Sequence, residues 1–382
     1  MNPRHVKRLV RFDVWHDPAM AQQLAREPDI ELMTVAREGN DDGAWAALSQ
    51  AHGYAISVAK DELPKRWWAT AALLARCPQL LVVSATGAGY DTVDVAACTA
   101  AGVLVLNQAG ANAQSVAEMT LGMMLSLAHR IGESDRRLRG AARSFSREDL
   151  MGCELNGKTL GVIGIGHVGT RVAALAAAFG MQVLAVDPFV ATEEIARRGA
   201  QAVSLDDLLS RSDYVSLHCP RDASSLGMMN ARAFAAMKQG AAFVSTARGG
   251  IHDEAALLDA LRSGQLSGAA LDVWDTEPPP HGHDLLTLDN VIATFHTAGV
   301  THEARRNMGE WSAAQLIDAF NGVRPTRMVN PQVWPVFVDR LAQQFTSELA
   351  AAVFNGKYSV LPARDDIVTN AHVRRLLDEE GI

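Results

Sequence analysis

The stretch Leu160-Gly161-Val162-Ile163-Gly164-Ile165-Gly166-His167-Val168-Gly169 decides how this chain reads. Leu160 to Ile163 make a short apolar strand, the G-x-G-x-x-G run follows at once, and Thr170–Phe179 continues with helical character. In such a turn Gly164 permits the tight bend, Gly166 lets a pyrophosphate approach the backbone, and Gly169 lets helix and strand pack closely. The helix N-terminus then faces the phosphate charge. An acid completes the pattern. Asp187 closes the next apolar run, where a carboxylate accepts hydrogen bonds from both ribose hydroxyls and repels a 2′-phosphate. Strand, turn, helix and acid together predict a dinucleotide site that takes NAD.

Outward from that turn, apolar runs alternate with helical segments in both directions. Downstream strand candidates are Gln182–Val186, Ala202–Ser204, Tyr214–His218, Ala242–Thr246, Ser267–Val273 and Val291–Phe295, with Thr159–Ile165 the first. Upstream they are Arg8–Val14, Glu31–Ala36, Tyr54–Ala59, Leu80–Thr86 and Val103–Asn107, separated by helices such as Pro18–Arg26 and Trp67–Arg76. Continuous apolar strands alternating with helices predict parallel sheets covered on both faces, so the fold class is α/β with two doubly wound units. Ser115-Val116-Ala117-Glu118 reads as a capping box opening a helix that is apolar nearly all round, suited to a place between two domains. Arg136 to Glu148 reads as a charged linker, and the arginines from Arg130 to Arg147, interleaved with acids, as a solvated or dimer-facing arm. Beyond Pro335 the texture changes, and Phe337, Leu341, Phe345 and Leu349 form one helical stripe.

Composition narrows the function. With 382 residues, 48% apolar and 20% charged, the chain has material for two or three cores and no signature of disorder. A net charge of −8 argues against general nucleic-acid binding, which needs a basic surface. Cys77, Cys98, Cys153 and Cys219 form no C-x-x-C pair, so neither a disulfide framework nor a metal site is expected, and a reducing cytoplasmic setting fits. The N-terminus has no signal-peptide core, and Val116 to Ile131 is too short and polar to span a bilayer.

Three residues just past strand candidates make a chemical set. Arg248 lies in Ser245-Thr246-Ala247-Arg248-Gly249-Gly250, Glu277 in Leu271-Asp272-Val273-Trp274-Asp275-Thr276-Glu277-Pro278, and His296 in Thr294-Phe295-His296-Thr297-Ala298-Gly299. In doubly wound sheets, ligands bind beyond the carboxyl ends of strands. A guanidinium clamps a carboxylate, an imidazole moves a proton near neutral pH, and a carboxylate fixes its tautomer. Lys60, at the end of the third strand, is a candidate for a second anionic group of the substrate. Trp67-Trp68 reads as core packing before an aromatic pocket.

These segments resemble the D-isomer-specific 2-hydroxyacid dehydrogenases, collinearly over roughly residues 50–334. Asn156–Gly166 is similar to that family's cofactor-domain entry, Ser245–Asp253, Asp272–Pro278 and Thr294–Thr301 to its Arg, Glu and His segments, Ser84–Asp91 to its substrate-carboxylate loop, and Val329-Asn330-Pro331 to its near-terminal signature. The resemblance implies that Arg248 holds the substrate carboxylate, that His296 is the acid/base with Glu277 as partner, and that Gly87, Ala88 and Gly89 form the carboxylate loop. It places NAD contacts on His167, Val168, Asp187, Cys219, Pro220, Ser225, Thr246, Asp272 and Gly299 beside Gly164, Gly166 and Gly169. It also implies a Rossmann cofactor domain (109–298) inserted in a discontinuous flavodoxin-like substrate domain (1–108 and 299–334), a C-terminal helical extension (335–382), and a homodimer. The expected function is interconversion of a 2-oxo acid and a D-2-hydroxy acid, with no nucleic acid or membrane as partner. The competing readings are an NAD(H)-sensing corepressor-like protein and a phosphite- or formate-type dehydrogenase; formate enzymes of this fold place Gln where Glu277 stands. The chain departs from the family at Phe295, where a Pro commonly stands, and at Arg221-Asp222-Ala223, which replaces a Leu-Thr-Pro-like turn.

Overall fold

Short apolar runs separated by helices produce two wholly parallel sheets. A computed structural model describes residues 6–140 and 145–354, with side chains through Phe345. The first sheet contains β1 (Lys7–Phe12), β2 (Ile30–Val35), β3 (Gly53–Ile56), β4 (Val82–Ala85) and β5 (Leu104–Leu106), in the order β2-β1-β3-β4-β5. The second contains β6 (Thr159–Ile163), β7 (Gln182–Val186), β8 (Gln201–Ala202), β9 (Tyr214–Leu217), β10 (Ala241–Ser245), β11 (Leu266–Leu271) and β12 (Val291–Ala293), in the order β12-β11-β10-β9-β6-β7-β8. The first order is flavodoxin-like and the second has the Rossmann core order, so each sheet has a switch point: between β1 and β3, and between β6 and β9. β3, β4, β5, β9 and β10 are buried along their whole length, which is why they read as unbroken apolar runs rather than alternating ones.

The chain leaves the first sheet after β5 and returns to it after the second. Helix His302–Phe320 packs against β4, and Ser312 Oγ lies 2.9 Å from Ser84 Oγ. Met328 bridges to Leu106, the Val105 N–H donates to Asn330 Oδ1 at 2.8 Å, and Arg327 Nε donates to the Ala109 carbonyl. From Pro335 a second unit begins, with helix Trp334–Phe354. Phe337, Leu341 and Phe345 are buried, as the stripe predicts, but the helix kinks at Phe345 (φ −126°, ψ 16°) rather than running on unbroken; the Leu349 side chain lies outside the described residues.

Three local expectations are corrected. The apolar helix spans Ala113–Ala128, starting two residues before Ser115, so there is no capping box. Ser115 Oγ instead pairs with Thr301 Oγ1 at 2.8 Å, and Glu118 accepts from Gln114 Nε2. That helix also covers one face of the second sheet, where Ala117, Leu121, Met124 and Ala128 share a core with Leu160, Val172 and Val244. The expected linker begins inside a helix, Ile131–Arg139, whose buried Glu133 pairs with Arg130 and Arg137. Trp67 ends a short 3-10 turn, Lys65–Trp67, and helix resumes only at Ala71. The two indoles donate to different carbonyls, Trp67 to Arg37 and Trp68 to Leu63, and that holds Trp68 extended.

Candidate active site

The glycine-rich turn and the Arg, Glu and His of the candidate set each lie past the end of a strand of the second sheet. The glycine-rich turn follows β6, Cys219-Pro220 follows β9, Arg248 follows β10, Glu277 follows β11 and His296 follows β12. Because β12, β11, β10, β9 and β6 are neighbours in that order, the five loops line one edge, with the turn at the switch point.

The turn fits a dinucleotide. Gly164 adopts φ +89°, and a Cβ there would lie 2.6 Å from the Cys219 nitrogen of the facing loop, so only glycine is accommodated. A Cβ on Gly169 would strike the Gly164 carbonyl, whereas one on Gly166 would meet nothing within 4 Å. That open space lies at the start of helix His167–Ala178, which no side chain caps, so its first N–H groups are available to an anion. Asp187 is anchored beside it: Oδ2 accepts from Ile165 N–H and Oδ1 from Phe189 N–H, both at 3.0 Å. Arg198, which the sequence reading missed, donates to the Ile165 carbonyl while Nε pairs with Glu194 at 2.8 Å. Glu194 is shared with Arg197, whose Nη2 lies 2.6 Å from its other oxygen, so Arg198 is held against the turn by the Ile165 carbonyl and this acid.

The other predicted cofactor contacts fall around this edge. Ser225 Oγ donates to the Pro220 carbonyl at 2.7 Å and accepts from Asp222 N–H, stapling the loop after β9. Burial pushes the Cys219 thiol up to about 11, so it stays protonated at neutral pH. Thr246 Oγ1 lies 3.2 Å from Thr120 Oγ1, and a Cβ on Gly299 would lie 2.5 Å from Asn112 Nδ2. The His167 ring stands against Gly110, with Val168 behind it partly buried. Asp272 is buried and organises the His296 loop: Oδ1 accepts from Thr294 Oγ1 (2.6 Å) and Thr297 N–H (2.8 Å), and Oδ2 from Ala298 N–H (2.9 Å).

His296 and Glu277 are paired. His296 Nδ1 lies 2.8 Å from Glu277 Oε2, and Glu277 Oε1 accepts from Trp274 N–H at 3.1 Å. Burial pushes the Glu277 carboxyl up, but the His296 hydrogen bond and charge, the Trp274 N–H and the Arg248 charge outweigh it and hold it below the ordinary value. With Nδ1 so engaged, Nε2 is left for the reacting group. Four other histidines are excluded from this role by burial, which pushes His16, His52 and His252 down to about 4 and His218 to about 3. They are neutral at physiological pH.

Arg248 reaches the first sheet's loop. Its Nε donates to Asp91 Oδ2 at 3.2 Å and its Nη1 to the Ala247 carbonyl at 2.7 Å. A Cβ on Gly89 would overlap Arg248 Nη2, so the Gly87-Ala88-Gly89 loop and the guanidinium are in direct apposition. Lys60 is exposed on the turn after β3, and the structure does not join it to this cluster. Asp91 is the joining residue the sequence reading left out of the site, although it ends the loop motif Ser84–Asp91. Trp67 is fully buried in the first core.

Comparison with known proteins bears on the same residues. The model of the D-isomer specific 2-hydroxyacid dehydrogenase NAD binding domain matches residues 121–298. The D-3-phosphoglycerate dehydrogenase of Archaeoglobus fulgidus is 40% identical over 257 residues, 67% of this chain and 48% of that protein. The chain thus spans about half the length of the curated relatives it matches. The crystal structure of the TT0316 protein from Thermus thermophilus superposes with a TM-score of 0.72 at 31% identity, covering 84% of this chain and 99% of that one. That of D-lactate dehydrogenase from Aquifex aeolicus, complexed with NAD and lactic acid, gives 0.69 at 28%, covering 82% and 96%. Two wound sheets, a glycine turn at the switch point and a family model across the second sheet lead to one assignment: the chain belongs to the D-isomer specific 2-hydroxyacid dehydrogenase family, with an NAD-binding domain over residues 121–298.

Proposed function

We propose that the protein is an NAD-dependent oxidoreductase that interconverts a 2-oxo acid and a D-2-hydroxy acid. The observation that carries this reading is the His296–Glu277 pair on the same sheet edge as Arg248 and the glycine turn. NAD, when bound, supplies or accepts the hydride. Gly164, Gly166, the first turn of helix His167–Ala178 and Asp187 would hold it, with the loops at Cys219-Pro220 and Thr246 beside it. Arg248 and the amides of Ala88 and Gly89 bind the substrate carboxylate, and Arg248 polarises the keto oxygen. His296 Nε2 gives a proton to that oxygen in reduction and takes it back in oxidation, while Glu277 fixes the tautomer and balances the imidazolium charge. In this reading residues 1–108 with 299–334 form the substrate domain and 109–298 the cofactor domain. A homodimer accompanies it, supported by the exposed apolar side chains Ile131 and Leu138 in the otherwise charged arm and Met151 just beyond it.

The test is a panel of glyoxylate, hydroxypyruvate, pyruvate, phenylpyruvate and bulkier 2-oxo acids with NADH and NADPH. Turnover of at least one with NADH is expected; none with either cofactor overturns the reading. Asp187→Ala should raise the KM for NADH by roughly tenfold, the scale of one or two lost ribose hydrogen bonds, and narrow the gap to NADPH. A wild-type preference for NADPH would remove Asp187 from this role. Among the described residues no helix is long and apolar enough to cross a membrane.

A further inference from the structure

Arg221 stands on the loop after β9, and the reaction proposed above gives it no task. Its guanidinium nevertheless reaches across to the first sheet's loop, where Nη2 donates to Asp91 Oδ1 at 3.1 Å; Nη1 donates to the Gly249 carbonyl at 3.4 Å. The other Asp91 oxygen, Oδ2, accepts from Arg248 Nε at 3.2 Å. One carboxylate therefore lies between two guanidinium groups, all three side chains partly buried, so water and salt screen them only in part. The charges decide what this does. Asp91 and Arg248 alone would form a neutral pair, and an incoming carboxylate would meet no net charge while competing with Asp91 for the same guanidinium. With Arg221 present the cluster carries one positive charge, and Asp91 has a second cation to hold it aside.

The geometry points to Arg221 as a positioning residue that occupies Asp91, so that the cluster keeps a net positive charge and Arg248 stays open to the carboxylate of the 2-oxo acid. This rests on the reaction proposed above. It also accounts for an arginine where the family's turn carries a Leu-Thr-Pro-like sequence. Arg221 touches neither substrate nor cofactor in this role. It acts on substrate capture through Asp91 and leaves the proton-transfer pair alone.

The test is a double-mutant cycle on the full chain. Arg221→Leu should raise KM for every accepted 2-oxo acid by about tenfold, move kcat by less than about threefold, and leave the pH profile in place. Adding Asp91→Asn to Arg221→Leu should bring KM back to within about threefold of wild type, because the neutral amide no longer cancels Arg248. A role in folding alone would not be repaired by that second change. A KM for Arg221→Leu within about twofold of wild type, or a double variant as weak as the single one, overturns the inference. Oxalate binding to the NADH-loaded protein, followed by calorimetry, should give the same order of Kd without turnover. If wild type reduces no 2-oxo acid, the proposed reaction fails, and oxalate still decides on Arg221. Weakening that Asp91→Asn reverses supports it; equal Kd values, or no oxalate binding by wild type, overturn it.

Discussion

Replacing His296 with alanine lowers turnover by roughly 10²–10⁴-fold in both directions, the range for losing a positioned acid/base. Substrate affinity should change little, since Arg248 and the Ala88–Gly89 loop are untouched. Glu277→Gln isolates the electrostatic part. The Glu277 carboxyl is held below its ordinary value, first among the favourable causes by the His296 hydrogen bond at 2.8 Å, so it is an anion throughout the working range. Reduction needs the protonated ring and fades as pH rises; with the anion of the pair replaced by a neutral amide, the fade is expected at lower pH. Oxidation needs the neutral ring, so its rise also moves to lower pH. Rates in both directions from about pH 5 to 10, which span the reference histidine value, decide the matter. An unshifted profile in Glu277→Gln, or near-wild-type turnover in His296→Ala, would take the pair out of the mechanism.

Arg248→Lys should lower kcat/KM by about 10- to 100-fold, because each charge-assisted hydrogen bond contributes ~1.5–3 kcal/mol and an ammonium cannot reproduce the planar fork. Arg248 already spends Nε on Asp91 and Nη1 on the Ala247 carbonyl. A lysine would therefore lose both its anchorage and its second donor toward substrate. The pH profile should stay put, since the proton-transfer pair is intact. A lysine variant with unchanged KM and kcat would show that the carboxylate binds elsewhere.

The parts legible in the sequence were those with a local cause. Strands buried on both faces announce themselves as apolar runs; all but Gln182–Val186 end one to three residues sooner than expected, and six begin one residue earlier. Gly164 and Gly169 are constrained by atoms close in sequence or on the adjacent loop, Gly166 leaves open space at the helix start, and Arg248, Glu277 and His296 each follow a strand end. The Arg221–Asp91–Arg248 chain had no such signal: its partners are 130 and 157 residues apart and meet only after both sheets form. The capping box failed for a related reason. Ser115 found a partner at Thr301, 186 residues away, that no local motif could announce.

His296 itself sits at φ +47°, in the left-handed region that glycine tolerates and other residues enter at a cost of about 1–2 kcal/mol. Its N–H donates to the Asp272 carbonyl at 2.8 Å, and the three donors on the Asp272 carboxylate keep the loop in that shape. Stability and activity are therefore opposed at one position. His296→Gly should melt higher than His296→Ala, both without acid/base function, because glycine releases the strain and alanine retains it. In a lineage freed from selection for catalysis, this is a place where drift toward a sturdier chain would also erase the enzyme.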